Sequence, residues 1–251
     1  LNGAVNDGAG STAGTVGQAI IKGGSGDLWL SSTSSTFGGL YAGTVGANGI
    51  GLVVNGGLLR FGDVNSEIPT LNLDTMLRGS QIRVNPTGDI LIGNGATAGA
   101  PTLTFANGQI AQYSTGTQLS RFRVNENTIT GTNLDNWLSG DSSGVIALNA
   151  TGNYSNALDL GAIGNGTYFL GASAGTTYNA TSLTVAADGI YRIGGGQSTL
   201  TLDSTARGTV GVLTDNTPGS KVLIGSQAAN GNGTVTNNDV HTYTGGTIVS
   251  R

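Results

Sequence analysis

Apolar residues in this chain fall in short pairs separated by one position rather than in long runs. Leu28/Leu30, Ile50/Leu52/Val54, Ile82/Val84, Ile90/Ile92, Leu103/Phe105, Leu158/Leu160, Leu183/Val185, Leu200/Leu202, Val210/Val212 and Val222/Ile224 all follow this rule. Such alternation puts every second side chain on a buried face, which is the pattern of a β-strand. Between the pairs stand Asn48-Gly49, Asn55-Gly56-Gly57, Asn94-Gly95, Asn107-Gly108, Asn165-Gly166, Asp188-Gly189 and Gly194-Gly195-Gly196. These supply the positive φ values that sharp corners require. No segment carries a convincing amphipathic helix. The nearest, Ser66 to Arg83, gathers Ile68, Leu71, Leu73, Met76 and Leu77, but Pro69 interrupts it. Leu71/Leu73 also fit alternation, so this stretch reads as strand-rich with room for one helical turn.

Composition narrows the architecture. The chain holds 45 glycines in 251 residues, against ten Lys and Arg and fourteen Asp and Glu. Glycine weakens regular structure by roughly 0.5–1 kcal/mol relative to Ala, so a fold with this many must recover the loss through regular stacking. Without helices, hairpins give an antiparallel sandwich or barrel. The other solution coils the chain so that each circuit is its own crossover, which gives a parallel solenoid. The strand pairs recur irregularly, which excludes a strict hexapeptide or nonapeptide repeat. Thr, Ser and Asn in place of charge suit stacked ladders. The expected fold is all-β: a right-handed parallel β-helix (β-solenoid) with irregular rungs and loop excursions, forming a single domain over residues 1–251. An antiparallel sandwich or barrel is the alternative.

Charge and cysteine content remove several classes. The net charge is −4, and the cations are scattered, with only Arg121-x-Arg123 and Arg78 near Arg83 approaching a cluster. A nucleic-acid surface needs concentrated positive charge, so no nucleic-acid partner is expected. Cysteine is absent, which removes disulfides and thiolate chemistry. No apolar stretch approaches the ~18 residues of a membrane helix. The start, Leu1-Asn2-Gly3-Ala4, has neither a basic region nor an apolar signal core, which suggests a processed or excerpted segment of a longer protein.

Two segments carry a family pattern. Lys22-Gly23-Gly24-Ser25-Gly26-Asp27-Leu28-Trp29-Leu30-Ser31 runs into Ser35-Thr36-Phe37-Gly38-Gly39, and Val240-His241-Thr242-Tyr243-Thr244-Gly245-Gly246-Thr247-Ile248-Val249 stands near the end. Both resemble the autotransporter-associated β-strand repeat of bacterial surface proteins, the first matching its first half and the second its second half. The stretch Gly189 to Leu202 is similar to the β-helical body beside such repeats. The resemblance implies an exported β-helical passenger at the cell surface. The C-terminal membrane barrel of that family is not seen in this sequence. In the repeat, Leu28 and Leu30 should point inward, Trp29 outward, and the Gly-Gly pairs should form corners.

Candidate chemistry is sparse. His241 is the only histidine, which excludes multi-histidine metal sites within this chain and leaves it the one residue a His-dependent triad would need; an exposed strand position is expected for it. Glu67 and Glu126 are the only glutamates, and Asp7, Asp188 and Asp215 sit in turn sequences. The strongest concentration of chemical groups runs from Arg121 to Asp141: Arg121, Arg123, Glu126, Asp135, Trp137 and Asp141. Sugar would stack on Trp137 while the charged groups hold its hydroxyls. The favoured reading of Asn133 to Leu138 is instead an excursion loop whose Trp caps the core. Gly23 to Asp27 superficially matches a calcium repeat, but Asp27 falls one place early and no second copy lies beside it. No cofactor and no metal are expected.

The lead expectation is a non-enzymatic, extracellular structural or adhesive protein on the bacterial surface, associating end to end into a fibre or with neighbouring repeats. Surface glycans are the other candidate partner. A carbohydrate-active enzyme or glycan-binding module built on Arg121 to Asp141 is the alternative from another class. A phage tail-fibre shaft, which would be an interwound trimer, is a third.

Overall fold

The computed structural model describes residues 20–30, 49–61, 70–72, 77, 80–92, 102–115, 118–124, 129–149, 152–204, 211–225 and 233–250. These form short strands, numbered here in chain order, and one seven-residue helix. The largest sheet has nine strands: β2 (Asp27–Leu30), β4 (Gly57–Phe61), β7 (Gly88–Ile92), β10 (Arg121–Val124), β11 (Val145–Leu148), β14 (Phe169–Ala172), β17 (Ile190–Ile193), β19 (Lys221–Ile224) and β21 (Thr247–Val249). A four-stranded sheet of β1 (Ile20–Lys22), β3 (Ile50–Val54), β6 (Gln81–Val84) and β9 (Ile110–Gln112) accompanies its first part. A second, of β12 (Gly152–Tyr154), β15 (Thr176–Tyr178), β18 (Thr199–Leu202) and β20 (Thr234–Asn237), accompanies its later part. Two-stranded sheets pair β5 (Thr70–Asn72) with β8 (Thr102–Thr104), and β13 (Leu158–Asp159) with β16 (Leu183–Thr184).

Every pairing among the described strands is parallel. Among the described residues the only antiparallel contact is the isolated bridge Thr115–Gln118, so the sandwich alternative gives way to parallel sheets. The chain leaves one sheet, enters another and returns to the first, so paired residues lie far apart in sequence. Asp27 pairs with Leu58, Leu58 with Asp89 and Asp89 with Arg121, three returns of nearly equal length. The next two, Arg121 to Val145 and Val145 to Phe169, are shorter and equal to each other.

The register stacks like on like. One inward column of the nine-stranded sheet runs Leu28, Leu59, Ile90, Phe122, Ile146, Leu170, Ile193, Ile224, Val249. From Leu59 to Ile193 these side chains are fully buried, and Leu28 and Ile224 are half-buried against the same core. In the first four-stranded sheet Ile20, Leu52, Ile82 and Ile110 stack the same way. Trp29 stands on the outer face with the Arg60 guanidinium 4.6 Å from its ring centroid.

The return shortens where the helix α1 (Gly131–Trp137) stands between β10 and β11. Thr130 caps it: the Asn133 amide donates to Thr130 Oγ1 at 3.3 Å and the Thr130 amide to Asn133 Oδ1 at 2.9 Å. Leu134 and Trp137 turn inward, Trp137 lying 4.9 Å from Phe105 between ring centroids. The Gly108 and Ser139 amides then donate to Asn136 O and Ile110 O, closing the open side of β9. The expected excursion loop is therefore a helix. Its tryptophan covers the core at the place where the first four-stranded sheet stops. Leu77 is a fully buried helical residue, in keeping with a turn between Ser66 and Arg83; most of that stretch lies outside the described residues.

Four fully buried tyrosines make up much of the later core: Tyr154, Tyr168, Tyr178 and Tyr191. Each hydroxyl donates, to Ile129 O, Gln112 Oε1, Ser182 O and Thr214 O respectively, so no phenol is buried unpaired. Burial pushes the phenols of all four above their ordinary value.

The corners obey the glycine argument unequally. Gly57 has φ +67°, and a Cβ there would fall 2.5 Å from Gly26 O, 2.6 Å from Gly24 O and 2.8 Å from Lys22 Nζ. Gly24 has φ +68° with nothing within 4 Å of that position. Urea unfolding of Gly24→Ala is expected to show a loss of about 1 kcal/mol from backbone strain alone. Gly57→Ala is expected to lose at least ~2 kcal/mol more, because backbone must also move; equal losses would contradict this packing.

Candidate functional site

The corners before β2, β4 and β7 lie one above another and frame the upper edge of a groove. At the first corner Lys22 is buried, its Nζ donating to Gly23 O at 2.7 Å, Gly24 O at 3.1 Å and Gly56 O at 3.0 Å. Three carbonyls thus satisfy all three ammonium protons. At the next two corners Asn85 Nδ2 donates to Asn55 Oδ1 at 2.6 Å, and Thr87 Oγ1 to Asn55 O at 3.2 Å. Thr87 holds φ 76°, unusual for a β-branched residue.

Below these corners the outward side chains of β2, β4, β7 and β10 form the groove floor. The register places Asp27, Leu58, Asp89 and Arg121 in one outward column and Trp29, Arg60, Leu91 and Arg123 in the next. Arg60 Nε meets Asp27 Oδ2 at 2.9 Å. Asp89 is buried and receives two arginines: Arg121 through Nε at 2.5 Å and Nη2 at 2.6 Å, and Arg123 through Nη2 at 2.6 Å. Arg121 Nη1 and Arg123 Nε are buried with no hydrogen-bond partner. The groove encloses about 620 Å³, and its walls include Ser25, Asn55, Gly56, Thr87, Asp89 and Arg123.

This arrangement divides the constellation expected from sequence. Arg121 and Arg123 are brought together, but with Asp89, Asp27 and Arg60. Trp137 is buried against Phe105, so it caps the core and presents no platform to a sugar. Asp135 is exposed on α1 and borders a separate cavity of about 280 Å³ beside Asp159. Asp141 accepts from Ser139 Oγ at 2.5 Å and from the Tyr113 hydroxyl at 3.2 Å. Burial, together with that carboxylate, raises the Tyr113 phenol. Glu126 lies outside the described residues. The signal for the groove partners was the long offset from Asp27 to Leu58, Asp89 and Arg121, which short-range periodicity does not reveal.

His241 is half-buried, rather than an exposed strand residue. It precedes β21 in irregular chain, and its Nδ1 accepts from the Leu213 amide at 3.3 Å while Nε2 is buried without a partner. Burial holds the imidazole below its ordinary value of 6.5, against the raising effect of the Asp239 carboxylate. Asp239 itself accepts from the Ser204 amide and hydroxyl. Among the described residues no three His, Cys, Asp or Glu side chains converge as a metal site, and no helix is long and apolar enough to cross a membrane. Comparison with protein-family models, with curated proteins and with solved structures finds no match to this chain.

Three outcomes test this electrostatic picture. Asp89→Asn leaves two guanidiniums over one neutral amide and is expected to lower stability by roughly 3–5 kcal/mol. Asp27→Asn, at a partly exposed pair, is expected to lose less than ~1 kcal/mol in the same denaturant titration. Because the fold favours neutral His241, its contribution is complete above the ordinary imidazole value and declines as pH falls below it. The melting temperature is therefore expected to drop between about pH 7 and pH 5 more steeply in the wild type than in His241→Asn, which keeps an acceptor but does not titrate.

Proposed function

We propose that this chain is a non-enzymatic structural scaffold of an exported bacterial surface protein, wound as a right-handed parallel β-helix and extended by end-to-end association. The observation that carries the reading is the unbroken parallel ladder of nine strands, whose inward column is apolar at every step. Parallel strands joined by long returns through companion sheets are what coiling would produce. Backbone bonds in such a ladder run along one axis, so each strand stiffens its neighbours. The two segments that resemble the autotransporter-associated repeat both feed this sheet, through β2 and β21, which favours the surface role over an intracellular one.

The β21 edge of the described ladder would accept a further strand, whether from a second copy or from a neighbouring repeat of the same protein. β21 pairs only with β19 among the described strands, and Ile248 and Val249 are 52% and 70% exposed. A second copy stacked on that edge would continue the apolar column and complete its hydrogen bonds.

Nine strands at a spacing of ~4.8 Å give the described ladder a length of about 40 Å. Electron microscopy is expected to show rods that lengthen with protein concentration, and immunogold label on the outer surface of producing cells. Charging the edge with Ile248→Lys and Val249→Lys is expected to return the rods to single copies. Label confined to the cytoplasm, or rods unaffected by the two lysines, would refute the corresponding half of the proposal.

A further inference from the structure

The groove over β2, β4, β7 and β10 has features that a purely structural surface does not require. Its floor carries three guanidiniums, Arg60, Arg121 and Arg123, against two carboxylates, Asp27 and Asp89. Among the described residues one positive charge is therefore left without a counter-ion inside the groove. Asp89 already accepts three short hydrogen bonds, and two guanidinium nitrogens beneath the floor, Arg121 Nη1 and Arg123 Nε, have no acceptor. Leaving charged donors unsatisfied is unfavourable by more than a neutral bond is worth. The Arg121 side chain is only 9% exposed, which makes the mismatch a buried one.

Two of these arginines, Arg121 and Arg60, are held in place before any ligand arrives. Asp89 grips Arg121 through two parallel N–H bonds, and Arg60 is fixed between Asp27 and the Trp29 ring. Rigid guanidiniums lose little freedom when they bind an oxyanion. The walls add Ser25, Asn55 and Thr87 along with glycine backbone, a mixture of donors and acceptors rather than an apolar lining. At about 620 Å³ the space is in the range of small-ligand sites, but its lining suits a hydroxylated ligand.

We propose that this groove binds an acidic saccharide, with a carboxylate or sulfate of the sugar held over Arg60, Arg121 and Arg123 and ring hydroxyls meeting Ser25, Asn55 and Thr87. The oxyanion neutralises the excess charge, and a shift of the partly open Arg123 head lets its Nε donate to it. The site is independent of whether copies of the chain associate.

Calorimetric titration of the full chain with an oligogalacturonate, a heparin-derived oligosaccharide, a neutral oligosaccharide of equal length and inorganic sulfate tests this. Saturable binding of one or both acidic sugars is expected, weakened at least about tenfold by Arg123→Gln and by Arg60→Gln, with sulfate competing weakly. The two acidic sugars distinguish carboxylate from sulfate as the recognised group. Circular dichroism melts of both variants, and the loss of affinity with added salt in the wild type, separate binding from folding. No binding of either acidic sugar below ~10 mM, equal binding of the neutral sugar, sulfate as tight as the sugars, or full affinity in folded Arg123→Gln and Arg60→Gln would overturn the proposal.

Discussion

One constraint governs the structure: a residue must be compatible with the residue directly above it in a parallel ladder, about 4.8 Å away. The column from Leu28 to Val249 meets it with nine apolar side chains that are widely separated in sequence. Local sequence neighbours contribute little to such a core. The fully buried stretch from Leu59 to Ile193 is held by partners that approach only when the chain returns to the same sheet. Mostly non-local contacts of this kind imply slow folding by accretion of neighbouring strands rather than by independent local elements.

The same constraint writes the outer face. Like charges stacked at ladder spacing repel, and the sheet answers with Trp29 beneath Arg60 and with Asp89 between Arg60's strand and the Arg121–Arg123 pair. The solution is incomplete, because one carboxylate serves two guanidiniums. The groove is the consequence of corners built from Lys22, Asn55 and Asn85, which project above a floor of charged side chains. The demands of the ladder and the proposed ligand site thus meet in a few residues of four adjacent strands.

The helix marks a change of regime. Before α1 the chain makes its longer returns through a companion sheet of aliphatic stacks. The next two returns are shorter, and large tyrosine rings join the aliphatic residues of the core, with Tyr154 and Tyr178 stacked at 6.1 Å and 18°. Large rings fill the interior; the hydroxyls of Tyr154, Tyr178 and Tyr191 reach backbone carbonyls, and that of Tyr168 reaches the Gln112 side chain. Trp137 seals the boundary where the aliphatic stack ends.

Alternating pairs such as Ile82/Val84, Ile90/Ile92 and Leu200/Leu202 each form a strand with those residues buried, because period-two burial is a property of a single segment. Gly57, Gly108, Gly166 and Gly189 take the positive φ that their turn sequences require for the same reason. The helix at Gly131–Trp137 escapes the periodicity although Thr130 and Asn133 carry a capping signal, since seven residues hold only two inward positions. The site is legible only in part: Arg121 and Arg123 stand out in the sequence and Trp137 reads as a cap, but nothing near Asp89 marks it as their partner. What the amino-acid sequence determines by itself is β-structure, corners and the scarcity of chemistry, all set within short segments. Which strand lies on which, and therefore which charges share a groove, is decided by the return of the chain to the same sheet. At that separation only the packed tertiary structure connects one residue with another.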